Sequence, residues 1–227
     1  GDILSCSDVY ISIGEERTVR NSFIFGETFF LNYNDMQGFT RENGNVFPGM
    51  EMLVTSENGD TMLFGKDLYE SDVEGVNYTP LRLISDITVA TPMQSGKEYF
   101  LHAKIWDKKG KGTYSSDFRF SIIPNENVKV EASGVTFREA YVYSMGYEKV
   151  ITDGKIKSSD NIYLLVEGLQ GFQAENGLVF PGLRLVATDA KGGQVLAYPD
   201  FFVEYDKSGV SPIDFYSQVS SHFKITG

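Results

Sequence analysis

The sequence predicts an all-β protein that consists of two antiparallel β-sandwich domains in tandem. A thirteen-residue stretch at residues 37–49 returns at residues 170–182 with ten identical residues and an offset of 133. Short runs of alternating apolar and polar residues also recur between turn-forming residues, which is the pattern of half-buried strands. The 17 Phe and 13 Tyr residues agree with this prediction, because aromatic side chains favour strands.

Strands are predicted on both sides of each repeated stretch. In the first domain they span residues 22–33, 50–55, 62–64, 81–90, 97–106 and 113–123. In the second domain they span residues 128–132, 137–143, 161–167, 183–188, 194–197 and 215–224. Residues 97–106 and 113–123 are expected to form a hairpin, because both runs alternate and a turn rich in Gly and Lys separates them.

The domain boundary is predicted at the polar joint of residues 123–127, which gives domains of residues 1–124 and 125–227. The second domain has no counterpart of the last hairpin, so it is expected to lack its last two strands. Three explanations stay open: the sequence is truncated, residues 128–141 fill the vacant place, or a partner chain supplies a strand. An uncovered sheet edge favours aggregation, so we expect something to cover it.

The repeated stretch has a structural and a functional interpretation. Its Glu-Asn-Gly run is a tight-turn signature, because Asn43 and Gly44 tolerate left-handed backbone. Phe47 would anchor the loop in the core, Pro48 would stop ladder pairing, and Gly49 would allow a bulge. Alternatively, the Gln, Glu and Asn oxygens bind a cation or sugar hydroxyls. The structural interpretation needs fewer assumptions and is favoured.

Two carboxylates recur at equivalent places and form the candidate metal site. Glu42 corresponds to Glu175, and Asp67 corresponds to Asp200. Ca²⁺ would bridge the two carboxylates of one domain if they lie close together, although it requires six to eight oxygens. The sequence has no Asp-x-Asp-x-Asp loop to supply the remaining ligands, and no other cofactor is expected.

The candidate ligand-binding residues share one face of the strand at 97–106. They are Phe100, His102, Lys104 and Trp106, the last being the only Trp. Flat aromatic rings beside polar groups can stack against sugar rings. The alternative is that this face packs against the second domain or beneath a loop.

Composition and missing motifs narrow the function. The net charge of −11 repels phosphate backbones, so nucleic acid is not expected as a partner. No apolar run approaches the roughly 20 residues that span a bilayer. The sequence contains no zinc motif, no Gly-x-Ser-x-Gly and no P-loop. We therefore expect no enzymatic activity, with a hydrolase that uses an unrecognised carboxylate pair as an alternative.

The residues around Cys6 provide an expectation about location. Residues 3–6, Ile-Leu-Ser-Cys, resemble a lipobox, and the following Ser-Asp resembles the leader of surface-exposed lipoproteins. With the two repeated stretches and residues 99–107, the chain resembles tandem immunoglobulin-like β-sandwich lipoproteins that gut-type Gram-negative bacteria export. This resemblance implies a lipidated Cys6 and a place at the outer membrane or cell surface. The alternative is an ordinary Cys in an N-terminal strand.

The expected function is therefore that of an exported, non-enzymatic cell-surface protein. It would bind or display a glycan or a protein ligand, and it would contact the membrane only through a lipid anchor. A structural or assembly subunit of a surface complex or pilus-like fibre is the alternative. The resemblance assigns no ligand-binding residue.

Overall fold

A computed structural model describes residues 3–156, 160–218 and 220–224, with the backbone alone at 217–218 and 220–224. The prediction of an all-β protein is confirmed, since 46% of the residues lie in strands and 4% in helices. The chain divides into two compact units, Gly1–Pro124 and Asn125–Gly227, here called unit 1 and unit 2.

The described residues of unit 1 form nine strands in two sheets. In chain order they are β1 (Asp8–Ile13), β2 (Glu16–Thr18), β3 (Ser22–Ile24), β4 (Thr28–Asn34), β5 (Pro48–Ser56), β6 (Thr61–Gly65), β7 (Leu83–Thr88), β8 (Lys97–Asp107) and β9 (Thr113–Ile123). A four-stranded sheet has the order β2-β1-β4-β7, and a five-stranded sheet has the order β3-β9-β8-β5-β6. All pairs are antiparallel except β3 with β9.

The core of unit 1 lies between these two sheets. Phe29 of β4 meets Phe120 of β9 edge to face, with ring centroids 5.3 Å apart. Tyr33 of β4 is fully buried, and its hydroxyl lies 2.8 Å from the hydroxyl of Ser116 on β9. Alternate residues of β5, β7 and β8 are also buried, as expected for strands whose one face packs on the core. Burial of these apolar side chains is the main stabilising term.

The predicted strand at residues 22–33 is divided into β3 and β4 by a turn. Gly26 has a φ of 86°, and its N–H donates to Val89 O at 2.7 Å. The Glu27 carboxylate accepts from Ile24 N at 3.0 Å and pairs with Arg20. Apolar residues resume the same spacing on both sides of Gly26 and Glu27, so the two strands were predicted as one. The turn lets β3 join one sheet and β4 the other.

The prediction that Pro48 stops pairing and Gly49 forms a bulge is wrong. Both residues belong to β5, where Pro48 lies opposite Asp107 and Gly49 opposite Trp106. Pro48 is the first residue of the strand, a position where its missing N–H is tolerated. Gly49 is required because the Trp106 indole occupies the place where a Cβ would be.

The described residues of unit 2 form six strands and two short helices. In chain order they are β10 (Glu139–Ser144), β11 (Lys149–Val150), β12 (Asn161–Glu167), β13 (Leu185–Thr188), β14 (Gln194–Tyr198), α1 (Tyr205–Ser208), α2 (Pro212–Gln218) and β15 (Ser220–Lys224). One sheet has the order β11-β10-β12-β15, and β13 and β14 form a separate two-stranded sheet. All of these strand pairs are antiparallel.

Two strand predictions in unit 2 are wrong. Residues 128–132 form no strand, and the turn that the Asn125 side chain organises by accepting from Asn127 N lies just before them. Residues 215–218 of the predicted strand 215–224 belong to α2, and residue 219 lies outside the described residues. Pro212 opens this helix, and Ser211 Oγ accepts from Asp214 N at 3.2 Å. A Ser followed by Pro is a helix-start signal that outweighs the local alternation.

Truncation of Phe29 tests the packing between the sheets. We expect Phe29→Ala to lower the free energy of unfolding of unit 1 by about 3–5 kcal/mol, because it leaves a cavity against Phe120. Urea unfolding followed by Trp106 fluorescence measures this, since the only Trp reports on unit 1. Val19→Ala is the control and should change stability by less than about 0.5 kcal/mol, because Val19 is fully exposed. Equal effects of the two substitutions would contradict this packing.

Candidate functional site

The repeated stretch of unit 1 is a tight loop beside β5. Glu42 and Asn45 exchange two backbone hydrogen bonds, and Asn43 and Gly44 between them have φ values of 53° and 86°. Val46, which is 3% exposed, pairs with Val76 through two further backbone hydrogen bonds. The loop is therefore built by backbone pairing around two left-handed residues, as the structural interpretation expects.

The second repeated stretch has the same local geometry. Glu175 and Leu178 exchange two backbone hydrogen bonds around Asn176 and Gly177, whose φ values are 51° and 82°. Val179 is fully buried and pairs with Val210. The β-bulge between Val54 and Thr55 in β5 also has its equivalent in β13.

Asp107 joins the loop of unit 1 to the end of β8. Its carboxylate accepts from Thr40 N at 2.7 Å and from Lys109 N at 3.0 Å, and the residue is 3% exposed. Burial opposes ionisation, but the hydrogen bonds from Thr40, Lys109 and Gly110 outweigh it and hold the pKa of Asp107 below its usual range. Asp107 therefore acts as a charged anchor for the loop.

The candidate metal ligands of unit 1 contact lysines of the β8–β9 turn. Asp67 Oδ2 lies 2.8 Å from Lys108 Nζ, and Glu42 Oε2 lies 3.0 Å from Lys109 Nζ. Burial raises the pKa of Asp67, but hydrogen bonds from Lys108, Tyr69 and Met50 outweigh it and lower that pKa overall. Each of the two carboxylates thus has a lysine as its cationic partner. Their presence in unit 1 is therefore explained without a bound Ca²⁺.

In unit 2, the Asp200 carboxylate also accepts hydrogen bonds from backbone N–H groups. Its Oδ1 accepts from Leu183 N at 3.0 Å and from Phe202 N at 2.9 Å, and these two hydrogen bonds lower its pKa. Asp67 Oδ1 accepts from Met50 N and Tyr69 N in the same way. Within the described residues, no three His, Cys, Asp or Glu side chains are grouped to hold a metal ion.

The candidate ligand residues lie on the outer face of the five-stranded sheet, as their alternation requires. His102 and Lys104 are exposed, whereas Phe100 and Trp106 are half-buried. Across the ladders, His102 Nδ1 lies 2.6 Å from Asp117 Oδ1, and Lys104 lies opposite Glu51. The Arg119 guanidinium lies over the Phe100 ring, 5.6 Å from its centroid. Polar and charged side chains therefore lie between the aromatic rings of β8.

Sequence reasoning missed two further members of this surface, Leu53 and Phe64. Leu53 lies opposite His102, and Phe64 of β6 lies opposite Leu53, which places both on the outer face. Phe64 is 53% exposed. The short run at residues 62–64 is apolar on both faces, so only the β5–β6 register assigns Phe64 to this side. We call the surface formed by Leu53, Phe64, Phe100, His102, Lys104 and Trp106 the β8 face.

Cys6 belongs to the folded part of unit 1. Its Sγ lies 3.3 Å from both Asp8 O and Asn34 O, and burial raises the pKa of the thiol. Leu4 is 2% exposed, and Ser5 exchanges two backbone hydrogen bonds with Gln37. Cleavage at a lipobox would remove Leu4 and Ser5, so lipidation of Cys6 would cost these contacts. Lipidation stays a prediction.

A cavity lies beside each repeated stretch. The one in unit 1 has a volume of about 230 Å³, and its walls include Gln37, Gly38, Tyr78 and Pro80. Drug-sized ligands occupy cavities of roughly 300–1,000 Å³, so this one is small for such a site. The cavity in unit 2 has a volume of about 440 Å³ and is lined by Val166, Gly168, Leu169, Gln170 and Tyr216.

Comparison with known proteins gives little guidance. No known family profile and no curated protein sequence matches the chain. One similar solved structure is described as "Crystal structure of the C-terminal domain of wzt"; it is 9% identical, with a TM-score of 0.36, over 57% of this chain and 84% of that chain. A likeness at that level carries no functional argument. Neither helix of the described residues is long and apolar enough to cross a membrane.

The equivalent glycines Gly49 and Gly182 provide a matched test of the site. Gly49→Ala should lower stability by about 1–3 kcal/mol, because its Cβ would overlap the Trp106 indole. Gly182→Ala should have little effect, since the nearest atom to its Cβ would be Asp200 Oδ2 at 3.7 Å. Urea unfolding followed by circular dichroism measures both, and equal losses would refute this placement of Trp106.

The charge of Asp107 predicts a pH-dependent contribution to stability. Because its folded-state pKa is depressed, the stabilisation is present above the unfolded-state pKa of about 3.9 and is lost as the pH falls through the folded-state value. Asp107→Asn should therefore cost about 1–3 kcal/mol at pH 7 and progressively less below pH ~4. Urea midpoints of both proteins between pH 3 and pH 7 measure this, with Asp86→Asn as an exposed control. A stability difference between the original protein and Asp107→Asn that does not change with pH would exclude the anchoring role of the charge.

Proposed function

We propose that the protein is a non-enzymatic binding protein whose β8 face takes a glycan. The observation that carries this proposal is the combination of accessible aromatic rings and polar or charged pairs on one face of the sheet. Phe64 is 53% exposed, and Phe100 and Trp106 are half-buried. The hydrogen-bonded pair His102–Asp117 and the ion pair Arg119–Glu98 lie among them.

A glycan suits this chemistry better than an apolar protein surface. Sugar rings present C–H faces that pack on aromatic rings, while their hydroxyls both donate and accept hydrogen bonds. An apolar partner would have to desolvate the Arg119–Glu98 ion pair, and the cost of this often exceeds the Coulombic gain. Sugar hydroxyls can replace the water around this pair instead. The β8 face is therefore complementary to a neutral or weakly charged oligosaccharide.

The dimensions of the sheet favour an extended ligand. β8 has 11 residues, which corresponds to a length of roughly 35 Å at about 3.3 Å per residue. The five strands span roughly 20 Å across the sheet at about 4.8 Å per strand. We expect several consecutive sugars to bind along β8 rather than a single sugar in a closed pocket.

The proposal also includes the immunoglobulin-like fold that the sequence suggested for both domains. We infer that both units are versions of one immunoglobulin-like sandwich. Support comes from the parallel β3–β9 pair at the sheet edge of unit 1 and from the equivalent loops and bulges of the two units. Export and surface location remain part of the proposal and rest on the resemblance stated for residues 3–8, while lipidation of Cys6 would require loss of the Leu4 contacts.

Glycan titration of the intact protein tests the proposed function. A panel of neutral and acidic polysaccharides would be titrated while Trp106 fluorescence is followed, since this single Trp lies on the β8 face. Phe64→Ala and Phe100→Ala should each weaken binding by roughly three- to tenfold, in line with about 0.5–1.5 kcal/mol for an aromatic contact. Tyr78→Ala is the matched control, because Tyr78 is an exposed aromatic outside this face.

Two results would contradict the proposed glycan site. One is an unchanged emission and unchanged retention on immobilised polysaccharide across the whole panel. The other is binding that Tyr78→Ala weakens as much as Phe64→Ala, which would place the ligand elsewhere on the protein.

A further inference from the structure

The cavity beside the repeated stretch of unit 1 has an apolar floor and a charged rim. Met36, Val46 and Leu81 line it and are 4%, 3% and 5% exposed, so they form its floor. Met36 N donates to Leu81 O at 3.0 Å, and this backbone pairing fixes two of the three side chains. Asp35, which is half-buried, and Arg41, which is exposed, line the same cavity nearer to solvent.

The two charged side chains of this cavity have only neutral partners. Asp35 Oδ2 accepts from Gln37 Nε2 at 3.0 Å, and Arg41 Nη1 donates to Gly44 O at 2.7 Å. Among the described residues, neither Asp35 nor Arg41 forms an ion pair. One negative and one positive charge are therefore available together at a single small cavity.

Unit 2 shows that the loop does not require these charges. Gly168 and Ala174 occupy the positions equivalent to Asp35 and Arg41. The second loop nevertheless closes through the same two backbone hydrogen bonds and the same left-handed φ values. The described lining residues of the unit 2 cavity include no charged side chain. The charges at the unit 1 cavity therefore serve something other than the folding of the loop.

The backbone at Asp35 supports the same conclusion. Asp35 has a φ of 52°, and Gly168 has a φ of 64° at the equivalent position. A side chain in this left-handed region is strained, whereas glycine adopts it freely. Unit 1 thus keeps a carboxylate at a position where glycine would relieve the strain, and strained residues of this kind concentrate at binding sites.

We propose that this cavity binds an α-amino acid with an apolar side chain. The Arg41 guanidinium binds the ligand carboxylate, whose geometry it matches, and the Asp35 carboxylate binds the α-ammonium group. The apolar floor receives the side chain of the ligand. The volume of about 230 Å³ is below the roughly 300–1,000 Å³ of drug-sized ligands, which suits a molecule of this size. The cavity shares no residue with the β8 face, so this site is separate from the proposed glycan site.

The two charges distinguish an amino acid from a sugar or a simple anion. A neutral sugar would displace water from Asp35 and Arg41 without giving either a counter-charge, which is costly. An anion would pair with Arg41 but would be repelled by Asp35 and by the net charge of −11. A zwitterion pairs with both residues and adds no net charge.

Equilibrium dialysis of the intact protein tests this proposal. Radiolabelled L-leucine, L-methionine and L-phenylalanine would be dialysed in turn, and we expect saturable binding of one molecule per chain for at least one of them. Against that ligand, its amide, which lacks the carboxylate, and its N-acetyl derivative, which lacks the ammonium group, should each compete about tenfold less well than the unlabelled amino acid. D-Glucose should not compete.

Two variants that copy unit 2 connect the binding to the cavity. Asp35→Gly and Arg41→Ala should each weaken amino-acid binding by about tenfold. Because unit 2 forms the same loop with these residues, both variants should fold, and circular dichroism checks this. Phe64→Ala is the control and should leave amino-acid binding unchanged, so that a failure of the glycan site is distinguished from a failure of this one.

Three results would overturn the amino-acid site. The first is the absence of saturable binding of all three amino acids. The second is equal competition by the amino acid, its amide and its N-acetyl derivative, which would show that the charges are not recognised. The third is an affinity that neither Asp35→Gly nor Arg41→Ala changes, which would place the ligand elsewhere on the protein.

Discussion

The β5–β8 ladder is the interaction on which unit 1 depends. Nine residue pairs join the strand that follows the repeated stretch to the longest hairpin of the chain. This register places Trp106 on Gly49 and brings Asp107 to the N–H of Thr40. It also places Lys109 on Glu42 of the loop and Lys108 on Asp67, which follows β6. A shift by one residue would turn every side chain of β8 to the other face, so the core and the outer face are specified together.

The same ladder separates the core-facing side of the sheet from the β8 face. Residues of β8 that point inward meet the aromatic core around Phe29 and Phe120, whereas the alternate residues form the β8 face. The rings of that face are held by their neighbours, with Arg119 over Phe100 and Trp106 over Gly49. Rings held in place lose little conformational entropy when a ligand binds, which agrees with the proposed glycan site on this face.

The sequence was sufficient to predict those structural features that depend on neighbouring residues alone. Alternation and turn residues predicted β12 at its observed bounds, and the Glu-Asn-Gly run predicted the left-handed turn at Asn43 and Gly44. It was insufficient where long-range contacts decide. The role of Lys108 depends on a pairing with Asp67, 41 positions earlier, and the side of Phe64 depends on the β5–β6 register. Helix α2 was missed because capping by Ser211 outweighs an alternating run of residues.

β5 pairs with both β6 and β8, whereas β13 pairs only with β14 among the described residues, so a comparison of these two strands tests the role of the β5–β8 ladder. Native-state hydrogen exchange measures it directly, because an amide is protected only when its hydrogen bond persists. In the protein alone, the amides of β13 that face away from β14 should exchange rapidly, while those of β5 should be protected on both edges. Equal protection of β13 and β5 on both edges would contradict the account.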